Sequence, residues 1–251
     1  MLVVKDKPCE AVFISDLHLH PEESRIIARF NAFIDWAALN TQTVYILGDF
    51  FHAWAGDDGL EPWCNAIAER LLWLSRQGVS LYFMHGNRDF LLGKHFATSA
   101  GMTILSEPTV IQLANNQILL VHGDCYCTND KSHQWFRKLT RSPWFTTFFL
   151  SLPLKMRSRL VNKVRQRSQS NKNKTMAQMD VVLKPMLEHM EQFKVNILIH
   201  GHIHKPGLRN HSYNNSIYSQ YVLSDWDDSP KLLCYSSTKG FEFIHFDLIG
   251  V

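Results

Sequence analysis

Five near-continuous apolar runs, at residues 11–15, 43–47, 80–84, 118–121 and 195–199, set the pattern of this chain. Apolar residues at successive positions belong to strands covered on both faces. Between the first two runs, Ile26, Ile27, Phe30, Phe33, Ile34 and Ala37 recur at three and four, which predicts an amphipathic helix. Ile67, Leu71, Leu72 and Leu74 repeat that spacing before the third run, with Gly78 as the stop. The last fifty residues change style, and 221–223, 232–235 and 241–246 read as successive antiparallel strands. The class predicted is an α/β sandwich: two stacked mixed sheets flanked by helices, the second completed by the C-terminal strands. The 251 residues suit one large domain. From 125 to 180 the rhythm breaks, which predicts a helical cap inserted within it.

Almost every run leads directly into a polar motif. In order these are Asp16-Leu17-His18, Gly48-Asp49, Gly86-Asn87-Arg88-Asp89, His122-Gly123-Asp124 and His200-Gly201-His202-Ile203-His204. Carboxyl ends of strands are where open α/β sheets gather their ligands. In an extended chain, residues two apart point the same way, so Asp16 with His18, and His202 with His204, are expected to reach one ion. Asp16, His18, Asp49, Asn87, His122, His202 and His204 make seven candidate ligands, too many for one six-coordinate ion. Two metals sharing a carboxylate resolve the excess, an arrangement suited to in-line displacement at phosphorus. Oxygen and imidazole donors without thiolate favour Mn²⁺, Zn²⁺ or Fe²⁺ over Ca²⁺. Asp89 and Asp124 are expected to orient metal-bound histidines. Asp57 and Asp58, between Gly56 and Gly59, read as a solvated turn.

The net charge of +3 does not by itself imply a polyanion partner, but its distribution is uneven. Residues 131–179 hold twelve Lys or Arg and no Asp or Glu. The same stretch carries Trp135, Phe136, Trp144, Phe145, Phe148 and Phe149. Cations among aromatic and aliphatic residues suit an anionic bilayer and acyl chains better than nucleic acid. No run approaches the ~18 apolar residues of a membrane span, and the opening residues lack the apolar core of a signal peptide. Five irregularly spaced cysteines fit a reducing compartment. The expected location is cytoplasmic, peripheral to a membrane.

The series D-x-H, G-D, G-N-x-D, H-G-D and G-H-x-H resembles the calcineurin-like metallophosphoesterase superfamily from residue 11 to about 206. That resemblance implies one ion on Asp16, His18, Asp49 and His204, and another on Asp49, Asn87, His122 and His202. Where the superfamily usually has His, this chain has Arg88. An imidazole can protonate an alkoxide leaving group, whereas a guanidinium keeps its proton and grips phosphate oxygens in pairs, which favours pyrophosphate cleavage.

Residues 50–58, 86–94 and 122–130, with the insertion, resemble the branch that hydrolyses UDP-2,3-diacylglucosamine in lipid A biosynthesis. This implies water attack on the α-phosphorus, yielding UMP and 2,3-diacylglucosamine 1-phosphate, with two Mn²⁺ per chain. It implies catalytic roles for Asp49, Asn87, Arg88 and His122. It also implies substrate contacts from Asn87, Arg88, Asp130, Ser168, Asn171, Lys174 and His202. The partners expected are the acylated UDP-sugar and the anionic cytoplasmic face of the inner membrane, with no nucleic acid and a monomeric chain. A soluble nucleotide phosphodiesterase on the same metals, or a non-catalytic scaffold, are the competing readings.

Overall fold

The computed structural model describes residues 7–170 and 180–246. The first half alternates as the periodicity predicts, with β1 (Cys9–Ile14), α1 (Ser24–Asn40), β2 (Thr41–Leu47), α2 (Pro62–Arg76), β3 (Ser80–Met84), α3 (Lys94–Ser99) and β4 (Met102–Leu105). The hairpin β5 (Thr109–Leu113) and β6 (Asn116–Leu120) follows. Next come α4 (Lys131–Thr140), α5 (Pro143–Ser151), α6 (Leu154–Ser170) and α7 (Leu183–Gln192). The chain closes with β7 (Ile197–His200), β8 (Gly207–Tyr213), β9 (Ser216–Val222), β10 (Lys231–Ser236) and β11 (Gly240–His245).

Two mixed sheets stack face to face, one ordered β11-β10-β1-β2-β3-β4 and the other β5-β6-β7-β9-β8. Their shared interior holds Phe13, Tyr45, Leu47 and Met84 from one sheet against Ile118, Leu120 and Ile199 from the other. Phe13, Tyr45 and Tyr82 stack in a row at 5.0 Å spacings across three parallel strands. The outer face of the first sheet is sealed by α1, α2 and α3 through Phe30, Phe33, Leu71 and Phe96. That of the second is sealed by α7 through Met186, Leu187 and Met190. This is the α/β sandwich predicted.

One detail differs. The C-terminal strands do not all complete the second sheet: β8 and β9 do, but β10 crosses back to pair antiparallel with β1, and β11 follows it. Alternation along a strand reports which face is buried, not which sheet it joins.

Several cations of the basic stretch turn inward and tie α4 and α6 to the sandwich. Arg137 pairs with Glu107 at 2.9 Å and Asp124 at 3.0 Å, while Arg141 donates to the carbonyls of His85 and Gly86. Arg157, fully buried on α6, donates to the carbonyls of Leu152 and Ala55 and pairs with Asp58. Asp57 accepts from Trp54 Nε1 and from the N–H groups of Gly93 and Phe96. The pair expected to be a solvated turn is therefore an anchor for the cap and for α3. Arg157→Ala is expected to cost about 3 kcal/mol, because it strands two carbonyls and empties a fully buried site. Urea unfolding would show this, and an unchanged midpoint would remove the anchoring role.

Candidate metal centre

The motifs sit just past β1, β2, β3, β6 and β7. Pairing between β1 and β2 continues into their loops, where Asp16 N–H donates to Gly48, His18 N–H to Asp49 and Leu19 N–H to Phe50. The expected extended geometry is not what aligns the ligands. Asp16, His18, Asp49, His202 and His204 all have φ between 51° and 70°, the left-handed region. Each such non-glycine residue costs roughly 1 kcal/mol or more and clusters where function demands it. Left-handed residues at alternate positions bring Asp16 and His18 together with His204, while His202 stands beside His122.

There the candidate side chains meet. His204 Nε2 lies 3.4 Å from Asp16 Oδ1, and His18 Nδ1 lies 4.0 Å from Asp49 Oδ2. His122 Nε2 lies 3.6 Å from Asp49 Oδ1 and 3.0 Å from Asn87 Oδ1. The His202 ring stands edge-on to His122 at 5.1 Å, and the backbone N–H of His202 donates to Asp16 Oδ2. Asp16, His18 and His204 form one group able to hold an ion, and Asp16, Asp49 and His122 another. A third group, Glu107, Asp124 and Cys125, is different because Arg137 and Arg141 already pair with its Glu107.

The donor set fits divalent cations. Both ring nitrogens of His18 and Oδ1 of Asp16 are buried without a hydrogen-bond partner, which normally costs about 1–3 kcal/mol each. His122 Nδ1 must donate to the Leu47 carbonyl at 2.8 Å, which leaves the Nε2 lone pair facing inward. Burial pushes the His202 imidazole down to about 3, aided by His122. Burial opposes charge on His122 and His204 too, but Asp49 and Asp16 lift the first to about 9, and Asp16 and Asp225 lift the second to about 10. Without metal, protons answer the carboxylates; cations compete for the same place.

Close backbone approach makes this possible. A Cβ on Gly86 would lie 2.1 Å from Asp49 Oδ1, and one on Gly201 would lie 2.2 Å from Ser15 Oγ. Neither loop could approach so near with any side chain there.

The supporting carboxylates work differently from expectation. Asp89 accepts from the N–H groups of Gly86 and Phe50, tying the β2 and β3 loops together. Asp124 faces Arg137 and His133, not a candidate ligand. Asp225, 3.3 Å from His204 Nδ1, is the carboxylate that orients a candidate ligand. Sequence reasoning passed over it, and over His133, whose ring stacks on His202 at 5.6 Å. Neither has a partner at ligand spacing, so only the fold reveals them.

Arg88 donates its N–H to Asp49 Oδ1 and holds Nε 3.1 Å from Asp49 Oδ2. Asp130 caps α4, accepting from His133 N–H. Asn171, Lys174 and the side chain of Ser168 lie outside the described residues. Beside the ligands opens a cavity of about 380 Å³ between α4, α5 and α6. Asn87, Arg88 and His133 line it at one end, and Phe136, Phe145, Phe149, Leu160 and Val164 form apolar walls.

The calcineurin-like phosphoesterase family matches residues 11–206, from β1 to just past His204. UDP-2,3-diacylglucosamine hydrolase of Histophilus somni is 40% identical over 92% of this chain and 98% of its own length. The proteins of that name from Enterobacter sp. (strain 638) and Escherichia coli O6:H1 are each 41% identical over 94% of this chain and 98% of theirs. The family match spans every ligand-bearing loop, and the near-full-length identity carries it through the cap. The chain therefore belongs to the calcineurin-like phosphoesterases and, within them, to the UDP-2,3-diacylglucosamine hydrolases.

Proposed function

We propose that this protein hydrolyses the pyrophosphate of UDP-2,3-diacylglucosamine in lipid A biosynthesis, giving UMP and 2,3-diacylglucosamine 1-phosphate. The observation that carries this reading is the apolar cavity opening beside Asn87 and Arg88. Phosphate-binding groups at the end of a phenylalanine- and leucine-walled chamber suit a phosphorylated, acylated sugar; a nucleotide phosphodiesterase has no use for the chamber.

In this reading Asp16, His18, Asp49 and His204 would hold one Mn²⁺, and Asp49, Asn87, His122 and His202 would hold the other. Such cations supply Lewis-acid stabilisation at phosphorus and lower the pKa of water. Water attacks the α-phosphorus, the bond to the bridging oxygen breaks, and UMP keeps the new oxygen. The leaving sugar phosphate is a weak base, so it needs charge neutralisation more than a proton. Arg88 supplies that, and Asp130, Ser168, Asn171, Lys174 and His202 contact the substrate. The cap, residues 125–180, is an insertion in a single domain.

The outer surface of the cap supports peripheral docking on the anionic cytoplasmic face of the inner membrane. Trp144 is 87% exposed, Trp135 69% and Phe148 64%, with Lys131, Lys138, Lys155 and Arg159 exposed on the same three helices. No described helix is long and apolar enough to cross a membrane. Burying one large aromatic is worth roughly 1.5–3 kcal/mol. Trp144→Ser with Phe148→Ser is therefore expected to weaken binding to phosphatidylglycerol vesicles at least about tenfold. Turnover of detergent-dispersed substrate should be unchanged, and vesicle binding equal to wild type would remove this face as the dock.

The reaction itself is tested by turnover of UDP-2,3-diacylglucosamine in ¹⁸O-water with Mn²⁺. Label in UMP is expected; label confined to the sugar phosphate overturns attack at the α-phosphorus. Cleavage of cyclic nucleotides with none of the lipid would favour the phosphodiesterase.

A further inference from the structure

A second cavity, of about 480 Å³, lies on another face of α6. Its volume falls within the roughly 300–1,000 Å³ of small-molecule sites. Leu160, Val164 and Arg165 line the acyl chamber, whereas Leu154, Ser158 and Asn162, each four residues on from the last, line this cleft. Trp54 and Val161 border both.

The chemistry of the two spaces differs. Where the acyl chamber has phenylalanines, the cleft has His20, His52, Asp58, Glu61, Ser158 and Asn162, with Trp54 and Trp63 beside them. Burying acyl carbons against two carboxylates would strip those of water for no return.

Its wall is built from the two loops that begin at the metal ligands. His20 follows His18 by two residues and His52 follows Asp49 by three, and the Leu19–Phe51 bridge holds the loops side by side. The His20 and His52 rings meet edge to face at 5.4 Å. Burial is the largest influence holding the His52 imidazole below its ordinary pKa, with the charges of Arg165 and Arg88 next. Asn87 and Arg88 line the acyl chamber; Leu19 and His52, one residue past His18 and three past Asp49, line the cleft.

We propose that this cleft is the nucleoside subsite, which takes the uracil and ribose of the substrate while the chamber takes its acyl chains. This rests on the activity proposed above, since only a substrate with unlike ends needs two unlike spaces flanking one phosphorus. A planar base stacks on the indole and imidazole rings, a contact that tolerates any base but requires one. Asn162 offers an amide donor and acceptor to the N3–H and O4 of uracil. Glu61 accepts from Trp63 Nε1 through Oε2, which leaves Oε1 for a ribose hydroxyl.

The test compares UMP, ribose 5-phosphate and 2,3-diacylglucosamine 1-phosphate as inhibitors of the full-length Mn²⁺ protein. Wild type is expected to bind UMP at least about tenfold more tightly than ribose 5-phosphate, the share due to the base. In His52→Ala, and separately in the surface variant Asn162→Ala, that preference should shrink severalfold while inhibition by the acylated sugar phosphate stays as in wild type. No preference in wild type, preference kept in both variants, or equal loss of both products would overturn the subsite. Loss of turnover on the lipid substrate with the UMP preference intact would instead count against the activity.

Discussion

Asp49→Ala is expected to reduce the protein from two equivalents of Mn²⁺ to one or none and to lower kcat/KM at least about a thousandfold, or ~4 kcal/mol. Asp49 shows one oxygen to His18 and the other to His122, so its carboxylate reaches toward both ligand groups. Asp16 belongs to both ligand groups as well, with Oδ2 accepting from Ser15 Oγ and His202 N–H, so Asp16→Ala is the companion variant for the same metal analysis. The Asp49→Asn variant isolates the charge: it keeps the shape and the acceptor for Arg88 N–H but offers bound cations a neutral amide in place of an anion. Metal analysis after gel filtration, with circular dichroism to verify folding, decides the matter. Two ions retained in a folded Asp49→Ala protein would remove Asp49 as the bridge.

Much of the fold was legible because buried strands must be apolar on both faces. β1, β2, β3, β6 and β7 are such strands, and they lie inside their sheets with the ligand motifs at their ends. β4, β5 and β8 escaped sequence reading, and all three are edge strands. An edge strand need not be apolar: β8, Gly-Leu-Arg-Asn-His-Ser-Tyr, never buries a residue fully. The site was legible in its ligand types but not in its backbone. Left-handed turns at Asp16 and His18 depend on tertiary contacts with the β2 loop, which no local propensity records. Asp58 read as a turn residue because its partner Arg157 lies ninety-nine positions away.

Arg88→Ala is expected to lower kcat/KM on the pyrophosphate substrate by roughly a hundredfold or more, ~3 kcal/mol, while both Mn²⁺ ions stay bound. The side chain is only 20% exposed, with Nε turned toward Asp49 Oδ2 and the residue at the end of the apolar cavity between α4, α5 and α6. Its charge opposes the cations it sits beside: Arg88 is, after burial, the largest influence holding the His18 imidazole well below its ordinary pKa. Removing it leaves the site more negative, so metal affinity should hold or rise while turnover falls. That opposition separates Arg88 from Asp49, whose loss removes metal and activity together. Arg88→Lys should recover only a small part of the rate, since an ammonium gives one point charge where the guanidinium gives two parallel donors. Arg88→His should not restore pyrophosphate cleavage, because the proton an imidazole can supply is not what a phosphate leaving group lacks. Parallel assays of turnover and metal content on the three variants test each step. Undiminished turnover in Arg88→Ala removes the phosphate-gripping role, and metal lost along with activity would recast Arg88 as a support for Asp49.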